Sequence, residues 1–341
     1  MATKTPTSLE AMERFTELAD YVIPFTIRAI CELGVADHLN DGPRSTTELA
    51  AATGSHEPSI YRALLALASK GIFTEVEPSR FALTPMAELL RSDHRLSMRD
   101  GYRLLPADIQ AWARFDYSLR TGKAAFDLVH EQGYWEYLST HSAYSRRFDR
   151  AMQTFTRLEG RAILGAYDWS GIESVVDIGG GNGELLTLLL RSVRTMRGTL
   201  FDQPHVVSGA QRVIDAAGVA NRCEIVAGDA FDHIPAGADA YVIKRVLYDF
   251  DDDEAKVILR NVRAAMGPDS RLLLCDPVLQ PGDSSDVPNT YGRIYDLLML
   301  AMVSGHARST DELAKLLPEA GLQLTAVVPT HVFPIVEARP I

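Results

Sequence analysis

Residues 175–184 carry the pattern with the clearest chemical meaning in this sequence. The apolar run Val175–Ile178, which contains Asp177, leads into four glycines within five residues, and a helical pattern begins at Leu185. This order predicts a buried strand, a tight turn and the start of a helix. Because glycine has no Cβ atom, the backbone of such a turn can approach a ligand closely.

The glycine spacing separates two classes of nucleotide-like ligand. The dinucleotide pattern G-x-G-x-x-G would end at position 184, where the sequence has Glu184. The observed spacing, G-x-G-x-G through Gly179, Gly181 and Gly183, is the form associated with S-adenosylmethionine. An acidic residue should follow at the end of the next strand to bind ribose hydroxyls, and Asp202 occupies that position. Together these residues predict a nucleoside ligand, with S-adenosylmethionine as the cofactor.

Composition and charge limit the class of protein. The chain has 341 residues, 46% of them hydrophobic, which is enough for two domains with sizeable cores. The formal net charge of −11 argues against general binding to nucleic acid or anionic membranes, because both require basic surface. No apolar run is long enough for a membrane span, and residues 1–7 are polar, so we expect no signal peptide. The scattered Cys31, Cys223 and Cys275 predict no disulfide or zinc site and a cytoplasmic location.

Residues 1–100 are predicted to form a mainly helical unit of winged-helix type. Apolar residues recur at helical spacing over residues 15–39, and residues 45–48 form a capping-box pattern. A further helix is expected over residues 60–70, followed by a hairpin over 72–76 and 80–83. The order of helix, turn, helix and two-stranded wing is that of a winged helix.

A winged helix suggests DNA binding, which the side chains of its second helix do not favour. That helix offers Arg62 and Lys70 but is otherwise mostly apolar. A recognition helix should present basic and amide side chains to the edges of bases. We therefore interpret this unit as a packing or dimerisation module of a homodimer, and we predict that it binds no nucleic acid.

From about Trp169 the sequence alternates between strands and helices, which predicts a mostly parallel sheet covered by helices on both faces. The expected fold is an α/β Rossmann-like domain with a mostly parallel seven-stranded sheet over residues 166–341, preceded by linking helices over residues 101–165. The last two strands should form an antiparallel hairpin. Predicted strands cover residues 175–178, 199–201, 224–226, 240–243, 271–275, 322–328 and 332–337, and predicted helices cover residues 185–193, 206–217, 252–265 and 310–320.

Two more strand ends offer side chains for the ligand. After the third strand, Asp229 could accept a hydrogen bond from the exocyclic amine of a nucleobase, and Phe231 could stack on its ring. A surface acid and a core phenylalanine are the alternative. The fourth strand leads into residues 244–250, at the edge of the sheet where ligands bind in such folds.

With these residues the sequence resembles the plant-type caffeate and isoflavone O-methyltransferases and their bacterial relatives that act on natural products. The matching segments are residues 175–183, 201–206, 228–229, 244–253, 295–300 and 148–152, within a resemblance from about residue 15 to 338. The resemblance implies a metal-free methyltransferase that uses S-adenosylmethionine, acts on a small aromatic substrate and dimerises through its N-terminal half. It implies that Gly179, Asp202, Asp229, Phe231 and Lys244 line the cofactor site, with Asp177 and Gly181 from the same glycine motif.

The residues that should remove the substrate proton differ from the family pattern. The resemblance implies a histidine four residues after Lys244, where this chain has Tyr248, and a glutamate where it has Ala307. A first supporting acid is retained as Asp276. Because an unperturbed tyrosine has a pKa of roughly 10, against roughly 6.5 for histidine, Tyr248 is a poor base near neutral pH.

Three interpretations of this departure stay open. The acceptor is an acidic phenol or carboxylate that is already ionised, so that methylation needs mainly proximity and orientation. Alternatively, an electron-rich ring carbon is methylated, and Tyr248 and Asp276 orient the substrate. The third interpretation is a chemistry other than methyl transfer. O-methylation is slightly favoured by the resemblance. His306 is another candidate base, and Tyr248 could instead only fill the space of a smaller histidine.

The substrate pocket is predicted to lie between the linking helices and the segment before His306. Aromatic and methionine side chains suit a flat ring, although each of them could equally belong to the core. The candidates are Trp112, Phe115, Phe148, Met152, Phe155, Tyr295, Met299 and Met302. Arg293 and Arg308 could pair with a substrate carboxylate or could be surface charges.

A run of acids between Asp249 and Glu254 suggests a metal site at first sight. The run opens a predicted helix that ends near Ala265, and acids are favourable at the positive end of a helix dipole. We therefore interpret the run as a helix start and predict no metal.

Overall fold

The structure is a computed structural model that describes residues 7–279 and 287–341. The chain divides into two compact units, with the boundary between Leu104 and Leu105. The predicted linking helices belong to the second unit.

The N-terminal unit contains five α-helices and three short strands among its described residues. Its helices are α1 (Ser8–Ala19), α2 (Val22–Leu33), α3 (Thr46–Thr53), α4 (Glu57–Ala68) and α5 (Pro85–Glu88), and its strands are β1 (Arg44–Ser45), β2 (Phe73–Glu77) and β3 (Arg80–Leu83). The periodic region 15–39 contains two helices rather than one, because the Asp20 carboxylate accepts hydrogen bonds from the backbone N–H groups of Val22 and Ile23 and so starts α2.

The predicted two-stranded wing and the predicted capping box at residues 45–48 are both confirmed. Strands β2 and β3 pair antiparallel, and β1 adds a third strand that is too short for its pattern to be recognised. The hydroxyl of Ser45 accepts from the backbone N–H of Glu48, whose carboxylate accepts from the backbone N–H of Ser45. Helix α4 buries Ile60, Leu64 and Leu67 in the core of this unit, so its apolar face is used for packing.

Helix α1 buries none of its residues within the N-terminal unit. Leu9, Met12, Phe15 and Leu18 are all more than 60% exposed, and they recur at helical spacing. An apolar face of this kind is typical of a surface that contacts another protein.

The second unit contains the remaining helices and strands. Its helices are α6 (Pro106–Trp112), α7 (Phe115–Thr121), α8 (Ala125–His130), α9 (Tyr134–Thr140), α10 (Ser142–Ala166), α11 (Glu184–Ser192), α12 (Pro204–Val207), α13 (Ala210–Ala217), α14 (Asp252–Ala265), α15 (Val287–Met302) and α16 (Thr310–Glu319). Its strands are β4 (Ser174–Ile178), β5 (Arg197–Asp202), β6 (Cys223–Ala227), β7 (Ala240–Ile243), β8 (Arg271–Leu274), β9 (Val278–Leu279), β10 (Arg308–Ser309), β11 (Leu322–Val328) and β12 (Ile335–Pro340).

The predicted seven-stranded sheet is confirmed, with the order β11-β12-β8-β7-β4-β5-β6. Strands β4 to β8 pair parallel with one another, whereas β12 is antiparallel to both β8 and β11. Strand β12 begins three residues later than predicted, because the Thr330 hydroxyl accepts from the N–H of Val332 and donates to the carbonyl of Phe333, forming a turn. The predicted helix 206–217 is divided into α12 and α13 around Gly209.

Both faces of the sheet are covered. The side chains of Val176 and Ile178 of β4 belong to one apolar core. The side chain of Val175, also of β4, belongs to another core that contains residues of α11. This alternation is the one expected for a strand between two layers of helices. The carboxyl ends of β4, β5, β6 and β7 therefore lie at a common edge. None of the helices among the described residues is long and apolar enough to cross a membrane.

The acidic run starts α14, as predicted. The Asp251 carboxylate accepts from the backbone N–H groups of Asp253 and Glu254, each at 3.0 Å, and the Glu254 carboxylate accepts from the backbone N–H of Asp251. Asp253 pairs with Lys256. Within the described ranges, no three His, Cys, Asp or Glu side chains form a group that could hold a metal ion.

Removing the cap of α14 should destabilise the protein. We expect Asp251→Ala to lower the free energy of unfolding by about 1 kcal/mol, because two backbone N–H groups lose their acceptor. Urea unfolding measures this, with Asp269→Ala, at an exposed position, as the control. The loss should be the same with and without a chelator. A variant as stable as the wild type would contradict the capping role.

Candidate active site

The glycine turn follows β4 and begins α11, as the sequence predicts. The backbone N–H of Gly181 donates to the Asp202 carboxylate at 2.8 Å, which fixes the turn against the end of β5. Gly181 has a φ of +63°, and a Cβ atom built there would meet no atom within 4 Å, so its face is open. A Cβ atom on Gly179 would instead lie 2.5 Å from the side chain of Val246. The turn therefore presents open backbone on one side and packs closely on the other.

Asp202 lies at the end of β5, and both of its carboxylate oxygens accept backbone hydrogen bonds. One oxygen accepts from Gly181 and the other from Gln203, at 2.7 Å. Burial raises the pKa of Asp202, and these two N–H groups oppose the shift. Asp149 of α10 is a second carboxyl in this region that sequence reasoning did not select, and burial together with the charge of Asp202 raises its pKa to about 6.

Asp177 is fully buried beneath the glycine turn. Burial raises the pKa of its carboxyl to about 7, against the lowering effect of Lys244. One of its oxygens has no hydrogen-bond partner within the part of the chain that the structure describes. An unsatisfied buried acceptor is costly, so this atom is suited to a further donor or positive charge at the turn.

Asp229 and Phe231 lie in the loop after β6. The Asp229 carboxylate accepts from the backbone N–H of Phe231 at 2.9 Å, and the Phe231 ring contacts the Phe250 ring edge to face at 5.1 Å. Asn261 of α14, which the sequence did not single out, donates to the carbonyls of Ala230 and Phe231. The loop is thus held from both sides at the edge of the sheet.

The residues present fit S-adenosylmethionine. The open backbone at Gly181 leaves room for close approach, and carboxylates lie at or near the carboxyl ends of three neighbouring strands, at Asp177, Asp202 and Asp229. The unsatisfied oxygen of Asp177 lies at the same turn. This arrangement provides acceptors for the hydroxyl and amine groups of a nucleoside and little steric obstruction to it.

Lys244 is held by a residue that sequence reasoning missed. Its ammonium group donates to Glu159 of α10 at 2.9 Å, and Arg245 donates to the other oxygen of the same carboxylate, also at 2.9 Å. Burial would raise the pKa of Glu159, but the two cations hold it below its ordinary value. A signal was available, because Glu159 lies four residues from both Phe155 and Ile163 on one helical face.

Arg245 joins this cluster to the aromatic residues of the predicted pocket. Its guanidinium carbon lies 4.2 Å from the centre of the Tyr295 ring and 5.7 Å from that of Phe155. Its Nε donates to the Tyr248 hydroxyl at 3.4 Å, a long hydrogen bond. The backbone of Arg245 has a φ of +58°, which is unusual for a residue other than glycine and is a conformation concentrated at functional sites.

Tyr248 is buried, and its environment keeps it protonated. Burial raises the pKa of its hydroxyl far above the ordinary value, despite the opposing charge of Arg245. A neutral tyrosine is not a base, but its O–H can donate a hydrogen bond. Tyr248 therefore has the chemistry of a donor and not of a proton acceptor.

Asp276 does not contact the Tyr248 hydroxyl, although the sequence suggested that the two side chains act together. One Asp276 oxygen accepts from the backbone N–H groups of Arg245 and Val246, at 2.5 and 3.2 Å, and the other accepts from the N–H of Tyr248 at 3.1 Å. Burial raises the pKa of Asp276 to about 6. The structure thus gives Asp276 a role in fixing the backbone that carries Arg245 and Tyr248.

The expectation that Arg308 pairs with a substrate carboxylate is wrong. Arg308 is buried, and its guanidinium donates to the Asp252 carboxylate and to the carbonyls of Leu247 and Phe250. His306 is partly exposed, with its Nε2 3.7 Å from the same Asp252 carboxylate. The backbone N–H of Ala307 donates to Asp296 of α15.

The predicted pocket residues are only partly brought together. One apolar cluster contains Tyr248 together with Phe115, Phe148, Tyr295, Met299 and Met302. Met299 and Met302 are buried, so in this structure they pack rather than line an open surface. The Trp112 ring lies 4.7 Å from that of Phe115, and Phe155 faces Arg245. Met152 of α10 lies outside the cluster, and Arg293 of α15 is exposed. Sequence reasoning missed Phe126 and Tyr134, which lie within the cluster.

Comparison with known proteins decides the family. Residues 112–323 match the model of the O-methyltransferase domain, and residues 16–93 match that of the O-methyltransferase dimerisation domain. This chain belongs to the O-methyltransferase family. The exposed apolar face of α1 lies partly within the dimerisation domain.

Several relatives are similar to this methyltransferase over nearly the whole chain. The phenazine O-methyltransferase PhzM of Lysobacter antibioticus is 39% identical, over 95% of this chain and 94% of that protein. The crystal structure of LaPhzM superposes with a TM-score of 0.92 at 38% identity, covering 97% of this chain and 99% of the other. The O-methyltransferase NcsB1, in complex with S-adenosylmethionine and 2-hydroxy-5-methyl naphthoic acid, has a TM-score of 0.81 at 33% identity and covers 99% of this chain and all of its own.

These relationships confirm the predicted fold, cofactor and assembly. The protein is a methyltransferase that uses S-adenosylmethionine and forms a homodimer. Methyl transfer to oxygen is favoured over transfer to carbon. The roles of individual residues at the site remain predictions.

Asp177 should give this methyltransferase a pH-dependent stability. Its folded pKa of about 7 lies above the ordinary value of 3.8, so its contribution to stability is fully present below about pH 4 and is lost as the pH rises through about 7. Without cofactor, we expect the wild type to lose stability relative to Asp177→Asn over this range. Urea unfolding at several pH values measures the difference, with the exposed Asp215→Asn as the control. Parallel pH curves for the wild type and Asp177→Asn would contradict the raised pKa.

Proposed function

We propose that this enzyme transfers the methyl group of S-adenosylmethionine to a hydroxyl oxygen of a small aromatic natural product. One observation carries the proposal. The segment 244–248 contacts the glycine turn through Val246 and the aromatic cluster through Arg245 and Tyr248. A cofactor at the turn and an aromatic substrate at the cluster would therefore both contact this segment of five residues and would lie close to each other.

The relatives support an aromatic acceptor and an oxygen atom. The names of the matching proteins include methyltransferases for a phenazine and for a hydroxynaphthoate, both flat aromatic molecules. The cluster around Tyr248 is rich in aromatic and methionine side chains, which suit such rings. We infer a substrate of similar size and flatness.

The proposed roles follow from the contacts of each residue. The glycine turn, Asp202 and the loop of Asp229 and Phe231 hold the cofactor, which supplies an electrophilic methyl group. Lys244 is positioned by Glu159 beside the turn. Tyr248 donates its O–H toward the acceptor, and Asp276 positions the backbone of Tyr248. Catalysis then depends mainly on proximity and orientation of the two reactants.

We also propose a cytoplasmic location. Support comes from the three cysteines, none of which forms a disulfide, with Cys31 and Cys275 buried. Unpaired cysteines are typical of proteins in reducing compartments.

The function is tested with S-adenosylmethionine that carries a deuterated methyl group and a panel of phenols, hydroxynaphthoates and hydroxyphenazines. Mass spectrometry should detect a labelled product, and NMR should place the label on oxygen. A label on ring carbon would establish C-methylation instead. If no labelled product forms with any compound while calorimetry shows cofactor binding, the proposed acceptor class is wrong.

Asp202→Ala should weaken the binding of S-adenosylmethionine at least tenfold. The change removes an acceptor at the turn and the bond that fixes Gly181. A hydrogen bond to a charged group contributes about 1.5–3 kcal/mol, which corresponds to roughly tenfold or more in affinity. Calorimetric titration measures the affinity, with the exposed Asp215→Ala as the matched control. An unchanged affinity would show that Asp202 does not take part in binding the cofactor.

A further inference from the structure

Arg245 is a buried cation whose hydrogen-bonding capacity is only partly used. Its side chain is 6% exposed, Nη1 donates to Glu159, and Nε donates to the Tyr248 hydroxyl. A guanidinium has five N–H groups, and within the described ranges no group accepts a bond from Nη2. Donors of this kind remain available to a ligand.

Several charged groups surround Arg245, and among the described residues Glu159 is the one carboxylate that pairs with its guanidinium. Glu159 is one carboxylate shared by two cations, Lys244 and Arg245. Asp177, near Lys244, titrates at a pKa of about 7 and offsets only part of that charge. Asp276 uses both of its oxygens on backbone N–H groups. Asp249 is buried, and burial together with the charge of Asp276 raises the pKa of its carboxyl.

The guanidinium of Arg245 lies against the aromatic cluster. The guanidinium lies over the ring of Tyr295, which belongs to the same aromatic cluster as Tyr248. Because Nε of Arg245 donates to the oxygen of Tyr248, the hydroxyl proton of Tyr248 is free to donate elsewhere. A cation and a neutral O–H donor thus act from adjacent positions, an arrangement that stabilises an oxyanion.

We propose that the enzyme accepts aromatic substrates whose hydroxyl is already ionised, and that Arg245 and Tyr248 hold the resulting phenolate oxygen beside the cofactor. This inference rests on the proposed methyl transfer and names its substrate class. The phenolate oxygen forms a bond to the methyl carbon as the bond from sulfur to that carbon breaks, and the electron pair of the broken bond stays on sulfur. The phenol has already lost its proton to solvent, so the chain needs no base.

Glu159 moderates the interaction. A guanidinium alone would hold a phenolate strongly and reduce its reactivity, because an interaction that stabilises the bound substrate more than the transition state slows the reaction. The negative charge of Glu159 offsets part of the positive charge of Arg245, because the two side chains share a 2.9 Å hydrogen bond. The pair therefore favours binding of the anion without neutralising it completely.

The binding step is tested with 4-nitrophenol, whose colour reports its ionisation, on the homodimer saturated with S-adenosylhomocysteine. We expect nitrophenolate to bind at least about tenfold more tightly than neutral 4-nitrophenol and than 4-nitroanisole, which cannot ionise. This comparison uses the wild-type protein, so it does not depend on any variant folding. Equal affinity for nitrophenolate and 4-nitroanisole would overturn the proposal.

Variants assign the effect to individual residues. Arg245→Gln should abolish the preference for the anion, Arg245→Lys should keep part of it, and Tyr248→Phe should reduce it less than Arg245→Gln. The control is Arg260→Gln, an exposed arginine on α14. Thermal melting and cofactor affinity report whether each variant folds. A folded Arg245→Gln protein that still prefers nitrophenolate would overturn the role of Arg245.

Turnover separates this inference from the proposed function. For a series of phenols of graded acidity, kcat/KM should rise with pH around a midpoint that follows the acidity of each phenol. A single midpoint shared by all the phenols would reveal a base on the enzyme and overturn the proposal. Tight binding of nitrophenolate without methyl transfer to any phenol would instead refute the proposed function, since binding is measured without the methyl donor.

Discussion

The carboxylate of Glu159 is the interaction on which the rest of the site depends. It lies on the 25-residue helix α10 and binds both Lys244 and Arg245, which directly follow the central strand β7. All three side chains are nearly buried, so removing the carboxylate would leave two adjacent cations without their partner in a poorly solvated place. Because α10 also contacts the start of α11 through Gln153 and Glu184, the long helix connects the glycine turn to the segment that faces the substrate.

The irregular segment 244–250 carries the chemistry, and side chains from two neighbouring elements satisfy its backbone. Asp276, after β8, accepts from three N–H groups of the segment. Arg308, in β10, donates to the carbonyls of Leu247 and Phe250 at the other end. Buried backbone groups outside helices and sheets require such partners. Sequence reasoning gave Asp276 as a supporting acid and offered Arg308 as a partner for a substrate carboxylate or as a surface charge. In the structure both residues fix the backbone of this segment, which explains how Arg245 is kept in a left-handed conformation.

Features determined by short stretches of sequence could be predicted, and features determined by distant partners could not. The glycine turn, the capping box at residues 45–48, the helix start at the acidic run and most strands depend on neighbouring residues, and the structure confirms them. The start of β12 was misjudged because a turn built on Thr330 interrupts an apolar run. Arg308 was misassigned, and Glu159 was missed, because the residues that each of them contacts lie more than 50 positions away in the chain. A single sequence considered without its structure gives the type of such a residue but not the group that it binds.

The departures at Tyr248 and Ala307 are consistent with each other and with Arg245. A histidine base needs a carboxylate to orient it and to stabilise its charged form, so a chain without the base has no use for the second acid. Tyr248 occupies the corresponding position as a buried neutral donor, and the backbone N–H of the small Ala307 donates to Asp296. The loss of a proton acceptor coincides with a buried guanidinium that lies over the Tyr295 ring of the same aromatic cluster. Together, Tyr248, Ala307 and Arg245 suit the recognition of a substrate oxygen that has already lost its proton, and not the removal of that proton.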